Sequence, residues 1–316
     1  MRTKLILVLV ALALVAAGCG DDDDATTTTA AAAGETTTTA AAETTTTAAA
    51  ETTTTAAVSA CAVESLELIT PGTLTVATGL PAFPPWVGTG DDATFDVPES
   101  GTGFESAVVY EIAKRLGFGE EQVVWVRTGF DEAVAPGPKS FDFNIQQYSI
   151  NADRDQVVDF SVPYYVTTQA LVTFEDSPYA SAQSLADLAD AKLGAQIGTT
   201  SLDFIENVIQ PNQEAQVYNS NVDVKSAMDA GQLDGLVVDL PTGFYITAAE
   251  IEGSIIAAAF AAQAQDPDEY GLLFAEGNPL KECIDPVLEE MKADGTLAAL
   301  EEQWLTSGSG IFVITG

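Results

Sequence analysis

Arg154 is the side chain in this sequence best suited to hold an anion. Its planar guanidinium stays charged and can present two parallel N–H groups to a carboxylate. The chain has only 11 Lys and Arg residues against 47 Asp and Glu residues, and its formal net charge is −36. A cation at the end of a predicted strand is therefore unusual here. Two interpretations are open: Arg154 binds the carboxylate of a ligand, or it forms a structural ion pair with Asp153, Asp155 or Asp159.

The composition excludes several kinds of chemistry. The chain contains no histidine, which excludes catalytic triads, general bases and metal sites that depend on imidazole. Its acidity argues against binding to nucleic acid, whose phosphates need basic surfaces, and against electrostatic binding to anionic lipid. We expect neither a cofactor nor a metal ion. Hydrophobic residues make up 47% of the chain, which allows a sizeable core.

The N-terminus has the pattern of an export signal. Arg2 and Lys4 precede an apolar run, Leu5–Ala17, which is shorter than the roughly 20 residues needed to span a bilayer. The run ends in small residues before Cys19, and this resembles a bacterial lipobox. The pattern predicts a lipoprotein signal peptide over residues 1–18 and lipidation of Cys19, which would anchor the exported chain to the outer face of the cell membrane. An ordinary cleaved signal peptide is the alternative.

Residues 19–60 are of low complexity and consist mainly of Thr, Ala and Glu. They lack the large apolar residues that a core needs, so we expect a flexible tether that leads to a folded domain over residues 61–316. If Cys19 carries lipid, Cys61 and Cys283 are the cysteines that remain. In an oxidising compartment we expect them to form a disulfide, with two reduced thiols as the alternative.

Short apolar runs alternate with helical patterns along the predicted domain. Phe104, Val108, Ile112 and Leu116 are spaced by four, which predicts a helix that ends at Gly117. The predicted strands are Leu74–Ala77, Val123–Val126, Phe141–Ile145, Leu171–Phe174, Leu193–Ile197, Val217–Tyr218 and Leu233–Val238. Further helical segments are predicted around Asp131, from Ser184 to Leu188, after Gly198 through Val208, and over Val224–Ala230. This alternation is typical of α/β units with parallel sheets, which bind ligands at the carboxyl ends of their strands.

Two neighbouring motifs make the pattern specific. They are Ser149-Ile150-Asn151-Ala152-Asp153-Arg154 and Val158-Asp159-Phe160-Ser161-Val162-Pro163-Tyr164-Tyr165. They resemble motifs of the bacterial extracellular solute-binding proteins of family 3, in particular the polar amino acid-binding lipoproteins of actinobacterial type. The resemblance covers about residues 71–306. It implies a two-lobed α/β fold like that of the type II periplasmic binding proteins, with a mainly parallel sheet in each lobe and the ligand cleft between them. Lobe 1 is expected over about 71–167 and 271–306, and lobe 2 over about 168–267.

The resemblance also implies a binding site for a free amino acid. The carboxylate of the ligand is expected to meet Arg154, Ser149 and Thr200, and its ammonium to meet Asp239 and Gln147. The expected side-chain pocket comprises Phe83, Phe130, Leu80, Gln146 and Gln196. Two of these assignments have structural alternatives. Asp239 is also suited to cap a helix that begins at Leu240-Pro241, and Thr200 is also suited to cap the helix that follows Gly198.

Departures from the family pattern bear on the ligand. Family members that bind cationic amino acids often have an acidic residue at the position of Leu80. The side chains of Gln146, Gln147 and Gln196 are uncharged amides, which suit a polar ligand without a positive charge. We therefore expect a neutral polar or an acidic amino acid as the ligand.

The resemblance implies that the chain is the substrate-binding component of an ABC importer. Its lobes are expected to close about a hinge near residues 167–169 and 265–270, and the closed form to be read by a membrane permease. We expect a monomer that is not an enzyme. Two alternatives stay open: a cyclohexadienyl or arogenate dehydratase-like enzyme on the same fold, and a ligand-sensing receptor module. The C-terminal tail, residues 307–316, has no predicted role.

Overall fold

The structure is a computed structural model that describes residues 61–89, 93–261, 266–305 and 311–315. The predicted signal peptide, the lipidation site Cys19 and the tether lie outside the described residues, as does Gln265 of the predicted hinge. Within the described ranges, no helix combines the length and the apolar character that crossing a membrane requires.

The strands and helices follow one another in an α/β order. The strands are β1 (Leu74–Thr78), β2 (Val123–Arg127), β3 (Phe143–Asn144), β4 (Val158–Phe160), β5 (Tyr165–Thr167), β6 (Gln169–Phe174), β7 (Leu193–Gln196), β8 (Gln216–Tyr218), β9 (Gly235–Asp239), β10 (Ser254–Phe260), β11 (Asp268–Tyr270), β12 (Leu273–Ala275) and β13 (Val313–Ile314). The α-helices are α1 (Phe104–Leu116), α2 (Phe130–Val134), α3 (Thr200–Phe204), α4 (Asn221–Asp229), α5 (Leu240–Tyr245), α6 (Lys281–Ala293) and α7 (Thr296–Trp304). π-Helical turns extend α3 and α5 over Ile205–Ile209 and Ile246–Glu250, and short 3₁₀ helices occur at Val63–Ser65, Pro98–Ser100, Glu120–Gln122, Arg154–Gln156 and Leu185–Leu188.

The first sheet and the helices packed on it form what we call lobe 1. Its strand order is β2-β1-β3-β12-β4. β1 is parallel to β2 and β3, whereas β12 is antiparallel to β3 and β4. α1 packs on α6 and α7, and it buries Phe104, Val108 and Ile112 in the core of the lobe. The helix ends where the sequence predicts, because Gly117 takes the left-handed conformation after Leu116, with φ 94°.

The second sheet and its helices form lobe 2. Its strand order is β13-β10-β6-β9-β7-β8. β7 is parallel to β8 and β9, while β6 is antiparallel to β9 and β10. The sheet is covered on both faces. One core contains Leu202, Phe204 and Phe260, and the other contains Val224 and Met228 of α4.

Paired strands carry the chain between the lobes. β5 and β11 form a two-stranded antiparallel ladder in which Tyr165 pairs with Tyr270 and Thr167 pairs with Asp268. β5 leads directly into β6 of lobe 2, and β11 leads directly into β12 of lobe 1. The predicted C-terminal tail contributes to the fold as well, because Val313 and Ile314 pair with the end of β10 at the edge of lobe 2. The chain therefore returns to lobe 2 after α7.

The structure confirms the two-lobed α/β architecture with a mainly parallel sheet in each lobe, because a single described strand runs against the others in each sheet, β12 in lobe 1 and β6 in lobe 2. β6 and β12 enter their sheets straight from β5 and β11 without a crossover helix, so they need not run parallel to their neighbours. The strand predicted over Phe141–Ile145 is shorter, at Phe143–Asn144. Its flanking residues still bond to β1, since the amides of Asp142 and Ile145 donate to the carbonyls of Thr75 and Ala77.

The predicted disulfide between Cys61 and Cys283 is confirmed. It joins the start of the described chain to α6, and the two Cα atoms are 5.5 Å apart across a sequence separation of 222 residues. Cys283 lies in the core of lobe 1, and Cys61 packs against that core. The bond therefore closes a loop that contains lobe 2 except for its edge strand β13.

Candidate functional site

A cleft between the two lobes contains every residue that the sequence assigns to a ligand site. From lobe 1 these are Leu80, Phe83, Phe130, Gln146, Gln147, Ser149 and Arg154. From lobe 2 they are Gln196, Thr200 and Asp239. The residues lie at strand ends, in the first turns of helices, or in the loops that follow β1 and β3, where a sheet exposes its edge to a ligand. The structure thus brings the ten predicted residues together, and the contacts of each show what it is free to bind.

The guanidinium of Arg154 is held by carbonyl groups rather than by carboxylates. It is 7% exposed, and it donates from Nη1 to the carbonyl of Ser149 at 2.6 Å and from Nη2 to the carbonyl of Gly198 at 2.8 Å. Its guanidinium carbon lies 5.2 Å from the ring centre of Phe130. Burial lowers the pKa of Arg154, but an arginine stays protonated in a protein.

Two of the three acidic neighbours that offered a structural ion pair have other partners. Asp159 accepts a hydrogen bond from the amide of Gly277 at 2.7 Å, and Asp153 accepts one from the side chain of Gln156 at 3.4 Å. Within the described part of the chain, Arg154 forms none of the ion pairs. Its positive charge therefore faces the cleft without a counter-ion.

Asp239 ends β9 and begins α5, but its side chain does not cap that helix. Its Oδ1 accepts a hydrogen bond from Nε2 of Gln169 at 2.9 Å. The same nitrogen donates to Oδ2 of Asp268 at 2.8 Å, while the hydroxyl of Ser201 donates to Oε1 of Gln169 at 2.7 Å. Burial, and then the charge of Asp268, raise the pKa of Asp239 to about 7. An amide thus orients a carboxylate that forms no ion pair with any described residue, and a ligand ammonium would supply one.

Two hydroxyl groups face each other across the cleft. Oγ of Ser149 in lobe 1 lies 3.3 Å from Oγ1 of Thr200 in lobe 2. Thr200 does not cap its helix, because the neighbouring Thr199 accepts the hydrogen bond from the amide of Leu202 at 3.2 Å. Thr200 lines the cleft, and its hydroxyl also accepts a long hydrogen bond from Nε2 of Gln169 at 3.4 Å.

Gln147 is fixed by a buried carboxylate that the sequence did not single out as functional. Glu105 is fully buried in the first turn of α1, and its carboxylate accepts hydrogen bonds from the main-chain and side-chain nitrogens of Gln147. The hydroxyl of Tyr164 donates to the same carboxylate at 2.5 Å. Burial raises the pKa of Glu105 to about 7. The side-chain nitrogen of Gln147 is thus engaged within lobe 1, and only its oxygens are suited to the predicted contact with an ammonium.

Phe130 and Phe83 form two aromatic walls of the cleft. Phe130 stacks on Tyr148 with a ring separation of 4.7 Å. Phe83 packs edge-on against Phe95 at 5.6 Å. The loop that contains Phe83 is held by Asp96, whose carboxylate accepts a hydrogen bond from the amide of Ala82 at 2.8 Å. Packing against Tyr148 and Phe95 therefore fixes the two rings, which can cover the aliphatic part of a ligand.

The other three pocket residues differ in their surroundings. Leu80 is 69% exposed, so it lies at the rim of the cleft rather than in a buried wall. Gln146 accepts a hydrogen bond from the hydroxyl of Tyr148 at 3.0 Å, and Gln196 accepts one from the amide of Asn221 at 2.9 Å. Both glutamines thus have an oriented amide in the cleft.

Sequence analysis missed an ion pair in the cleft. Nζ of Lys225 in α4 lies 2.5 Å from Oε1 of Glu250, the last residue of the π-helical turn after α5. Both residues line the cleft. A single lysine in an amphipathic helix normally faces solvent, so only the partner brought by the fold marks Lys225 as part of the site.

The two lobes are closed on each other in this structure. Besides the contacts of Arg154 with Gly198 and of Ser149 with Thr200, Nε1 of Trp86 donates to Oγ1 of Thr242 at 3.0 Å. Nζ of Lys225 lies 3.9 Å from the ring centre of Phe83. These contacts join lobe 1 to lobe 2 around the cleft and describe a geometry in which a ligand would be enclosed.

Comparison with known proteins agrees with this geometry. The sequence profile of the bacterial extracellular solute-binding proteins, family 3, matches residues 81–307. The chain belongs to this family. One relative is the L-cystine-binding protein TcyJ of Escherichia coli, which is 28% identical over 237 residues, or 74% of this chain and 82% of the relative. Another is the glutamate-binding protein GluB of Corynebacterium efficiens, which is 27% identical over 209 residues, or 64% of this chain and 68% of the relative.

Solved structures of the family share the fold. An ancestral arginine-binding protein bound to glutamine aligns with a TM-score of 0.60 and 27% identity, and the alignment covers 75% of this chain and all of that protein. An ancestral amino acid-binding protein, described as a precursor of cyclohexadienyl dehydratase, aligns with a TM-score of 0.60 and 26% identity over 74% of this chain and 95% of that protein. The two-lobed fold is thus that of the type II periplasmic amino acid-binding proteins, which confirms the fold class expected from the sequence.

Proposed function

We propose that the protein is the substrate-binding component of an ABC importer, and that it captures an α-amino acid by closing its lobes around it. The observation that carries the proposal is the position of Arg154 and Asp239. They lie on opposite lobes of one cleft, and in the described part of the chain they form no ion pair with each other or with a third residue. A free amino acid supplies one carboxylate for Arg154 and one ammonium for Asp239.

The two charges explain how a zwitterion favours the closed form. Removing a carboxylate and an ammonium from water is costly unless each gains a charged partner and hydrogen bonds. In the closed form Arg154 offers its unused N–H groups beside the hydroxyls of Ser149 and Thr200, and Asp239 offers its carboxylate. A ligand that needs both lobes binds the closed form better than the open one, so it shifts the population toward closure.

The hinge in this proposal is the ladder of β5 and β11. Few residues cross between the lobes there, and Gln169, at the start of β6, joins Asp239 to Asp268 of β11 by its side-chain nitrogen. Movement of the hinge therefore acts directly on the hydrogen bond that orients Asp239. The closed surface would be recognised by a membrane permease.

The proposal includes export and anchoring. We propose that the sequence pattern of residues 1–18 directs export, that Cys19 carries a lipid anchor, and that residues 19–60 act as a tether. Family members work outside the cytoplasm, which agrees with the disulfide between Cys61 and Cys283. We propose that the protein is monomeric and that it captures its ligand at the outer face of the membrane.

The side chain of the ligand meets a polar end of the cleft. Relatives bind L-cystine and glutamate, and a solved ancestral relative holds glutamine. The amides of Gln146 and Gln196 and the ion pair of Lys225 with Glu250 line the cleft, and we assign them to that end. These groups support a polar ligand whose side chain carries no net positive charge, in agreement with the expectation from the sequence.

Thermal unfolding of the full-length chain, measured against the twenty amino acids and L-cystine one at a time, tests the proposal. A ligand that binds only the folded state raises the midpoint according to its concentration over its Kd. We expect one or a few amino acids to raise the midpoint of the natural protein and of Arg115→Met, a control outside the cleft, and not that of Arg154→Met. If no amino acid raises it and a prephenate-like acid is converted to product, the protein is a dehydratase-like enzyme instead.

A further inference from the structure

The ion pair of Lys225 and Glu250 lies inside the cleft and is only partly exposed. The side chain of Lys225 is 12% exposed and that of Glu250 is 19% exposed. Both residues belong to lobe 2, whereas the ring of Phe83, which Lys225 covers at 3.9 Å, belongs to lobe 1. Arg154 and Lys225 are thus two cations that line one cleft, in a chain with 11 basic residues in all.

The cleft combines a cation, an aromatic ring and an acidic residue at two places. At the first place Arg154 lies over the ring of Phe130, and Asp239 supplies the acidic group. At the second place Lys225 lies over the ring of Phe83, and Glu250 supplies the acidic group. We infer that Lys225 and Glu250 form a second subsite, which binds the far-end carboxylate and ammonium of a ligand with two α-amino acid head groups. This inference rests on the proposed function, because it extends the same amino acid site.

The spacing of the two acidic residues suits such an elongated ligand. Asp239 precedes the first turn of α5, and Glu250 ends the π-helical turn that continues it. Along the axis of these turns, the Cα atoms of Asp239 and Glu250 are separated by on the order of 15 Å. Both side chains point toward the cleft and shorten that span. A ligand with two head groups joined by a spacer of about four atoms, such as a disulfide-linked pair of amino acids, can reach both acidic groups.

The charges also select against ligands with one head group. An acidic side chain would satisfy Lys225 but would stand beside the carboxylate of Glu250. A cationic side chain would satisfy Glu250 but would stand beside the ammonium of Lys225. A second zwitterionic head supplies both opposite charges, so each member of the pair keeps a counter-ion when the cleft excludes water. Discrimination arises from the repulsion as much as from the attraction.

Titration calorimetry on the full-length chain tests the inference with two ligand classes. The ligands with two head groups are L-cystine and L-cystathionine, and those with one are S-methyl-L-cysteine and L-glutamine. We expect the two-headed ligands to bind at least about tenfold more tightly, the gain of one charged hydrogen bond. Lys225→Met and the nearly isosteric Glu250→Gln should each remove that advantage and should weaken the one-headed ligands much less.

Lys281→Met is the matched control. Lys281 forms an ion pair of the same length, 2.5 Å, with Asp285 on α6, outside the cleft. Lys281→Met should leave the Kd for both ligand classes unchanged. The inference is overturned if one-headed ligands bind as tightly as two-headed ones, or if Glu250→Gln weakens both classes equally, since the pair then serves only to hold the lobes closed. The proposed function itself fails by a different result, namely that no amino acid of either class binds the natural protein.

Discussion

Nη2 of Arg154 in lobe 1 donates a hydrogen bond to the carbonyl oxygen of Gly198 in lobe 2, at a distance of 2.8 Å. A second hydrogen bond, from Nη1 to the carbonyl of Ser149, fixes the plane of the guanidinium. A guanidinium has five N–H donors, so these two bonds leave others for a ligand carboxylate. Arg154 can therefore hold the lobes together and bind the ligand at the same time.

Thr242→Val is expected to weaken ligand binding by destabilising the closed form. The change removes the acceptor of the hydrogen bond from Nε1 of Trp86 and leaves that donor without a partner when the lobes are closed. An unpaired buried donor costs about 1–3 kcal/mol, so the Kd should rise roughly five- to 150-fold. Titration calorimetry gives the Kd.

The control for this prediction is Thr247→Val. Thr247 lies in the π-helical turn after α5, and its hydroxyl donates to the carbonyls of Gly243 and Phe244 within lobe 2. Thr247→Val should leave the Kd unchanged within about twofold, since substitutions away from a key contact change the free energy little. Equal weakening by both variants would show that the bond between Trp86 and Thr242 does not stabilise closure.

Ligand binding should weaken as the pH falls below about 7. Burial and the charge of Asp268 raise the pKa of Asp239 to about 7, so in the unliganded protein this group is protonated at lower pH. An ammonium needs the ionised carboxylate, and binding therefore displaces the proton. The affinity should fall by up to about tenfold per pH unit below 7 and level off above about 8. Calorimetry in buffers of different ionisation enthalpy should detect the released proton, and Asp239→Asn should abolish the release. A pH-independent affinity would contradict this role of Asp239.

Burial of Glu105 makes the folded protein less stable at neutral pH than at about pH 4.5. Burial raises the pKa of Glu105 from 4.5 to about 7. A group whose pKa is higher in the folded state contributes stability that is fully present below its unfolded pKa and is lost as the pH rises through the folded pKa. For Glu105 this window is about pH 4.5 to 7. The free energy of unfolding should decline across it, and Glu105→Gln should show a smaller decline. An equal decline in both proteins would exclude Glu105 as the cause.

The disulfide should contribute mainly to stability rather than to binding. Reduction frees a loop of more than 200 residues between Cys61 and Cys283, which should lower the free energy of unfolding by about 2–5 kcal/mol. Urea unfolding with and without reductant measures this, and the double variant Cys61→Ser with Cys283→Ser should behave like the reduced protein. Because the bond lies in the core of lobe 1, the Kd should change by less than about twofold. Unchanged stability after reduction would contradict the prediction.

The C-terminal strand should stabilise lobe 2. Ile314 is completely buried in the core of lobe 2, whereas the adjacent Val313 is 48% exposed. Ile314→Ala should lower the free energy of unfolding by about 2–4 kcal/mol. Val313→Ala on the same strand is the matched control and should cost less than about 0.5 kcal/mol. Equal effects in urea unfolding would mean that β13 does not pack in solution as it does here.

Local patterns in the sequence predict much of the fold. The spacing of apolar residues and Gly117 predict α1, and the apolar runs predict β1, β2 and β9 to within a few residues, because these signals depend on neighbours in the chain. The antiparallel entry of β6 and β12 depends on where the chain passes between the lobes. The pairing of β13 depends on a partner strand some fifty residues earlier. No local sequence pattern predicts the direction of β6 and β12 or the pairing of β13.

The candidate site also combines features that the sequence predicts with features that depend on the fold. Motifs and resemblance place ten residues in one cleft, but they do not show how each is held. Glu105 is recognisable only once Gln147 and Tyr164 surround it. Lys225 resembles a solvated lysine until Glu250 and Phe83 are brought beside it by α5 and by the opposite lobe. A contact between two residues that are far apart in sequence can be recognised only once the folded structure is known.

The most direct test of the central claim compares an amino acid with its decarboxylated analogue in calorimetric titrations. The ligand is whichever amino acid raises the unfolding midpoint, and the proteins are the natural chain, Arg154→Met and the control Arg115→Met. In the natural chain and the control, loss of the carboxylate should weaken binding roughly 10- to 150-fold, the value of a charged hydrogen-bonded contact. In Arg154→Met the amino acid and its analogue should bind equally weakly. If Arg154→Met still prefers the amino acid by the full factor, the carboxylate binds elsewhere and the account of the cleft is wrong.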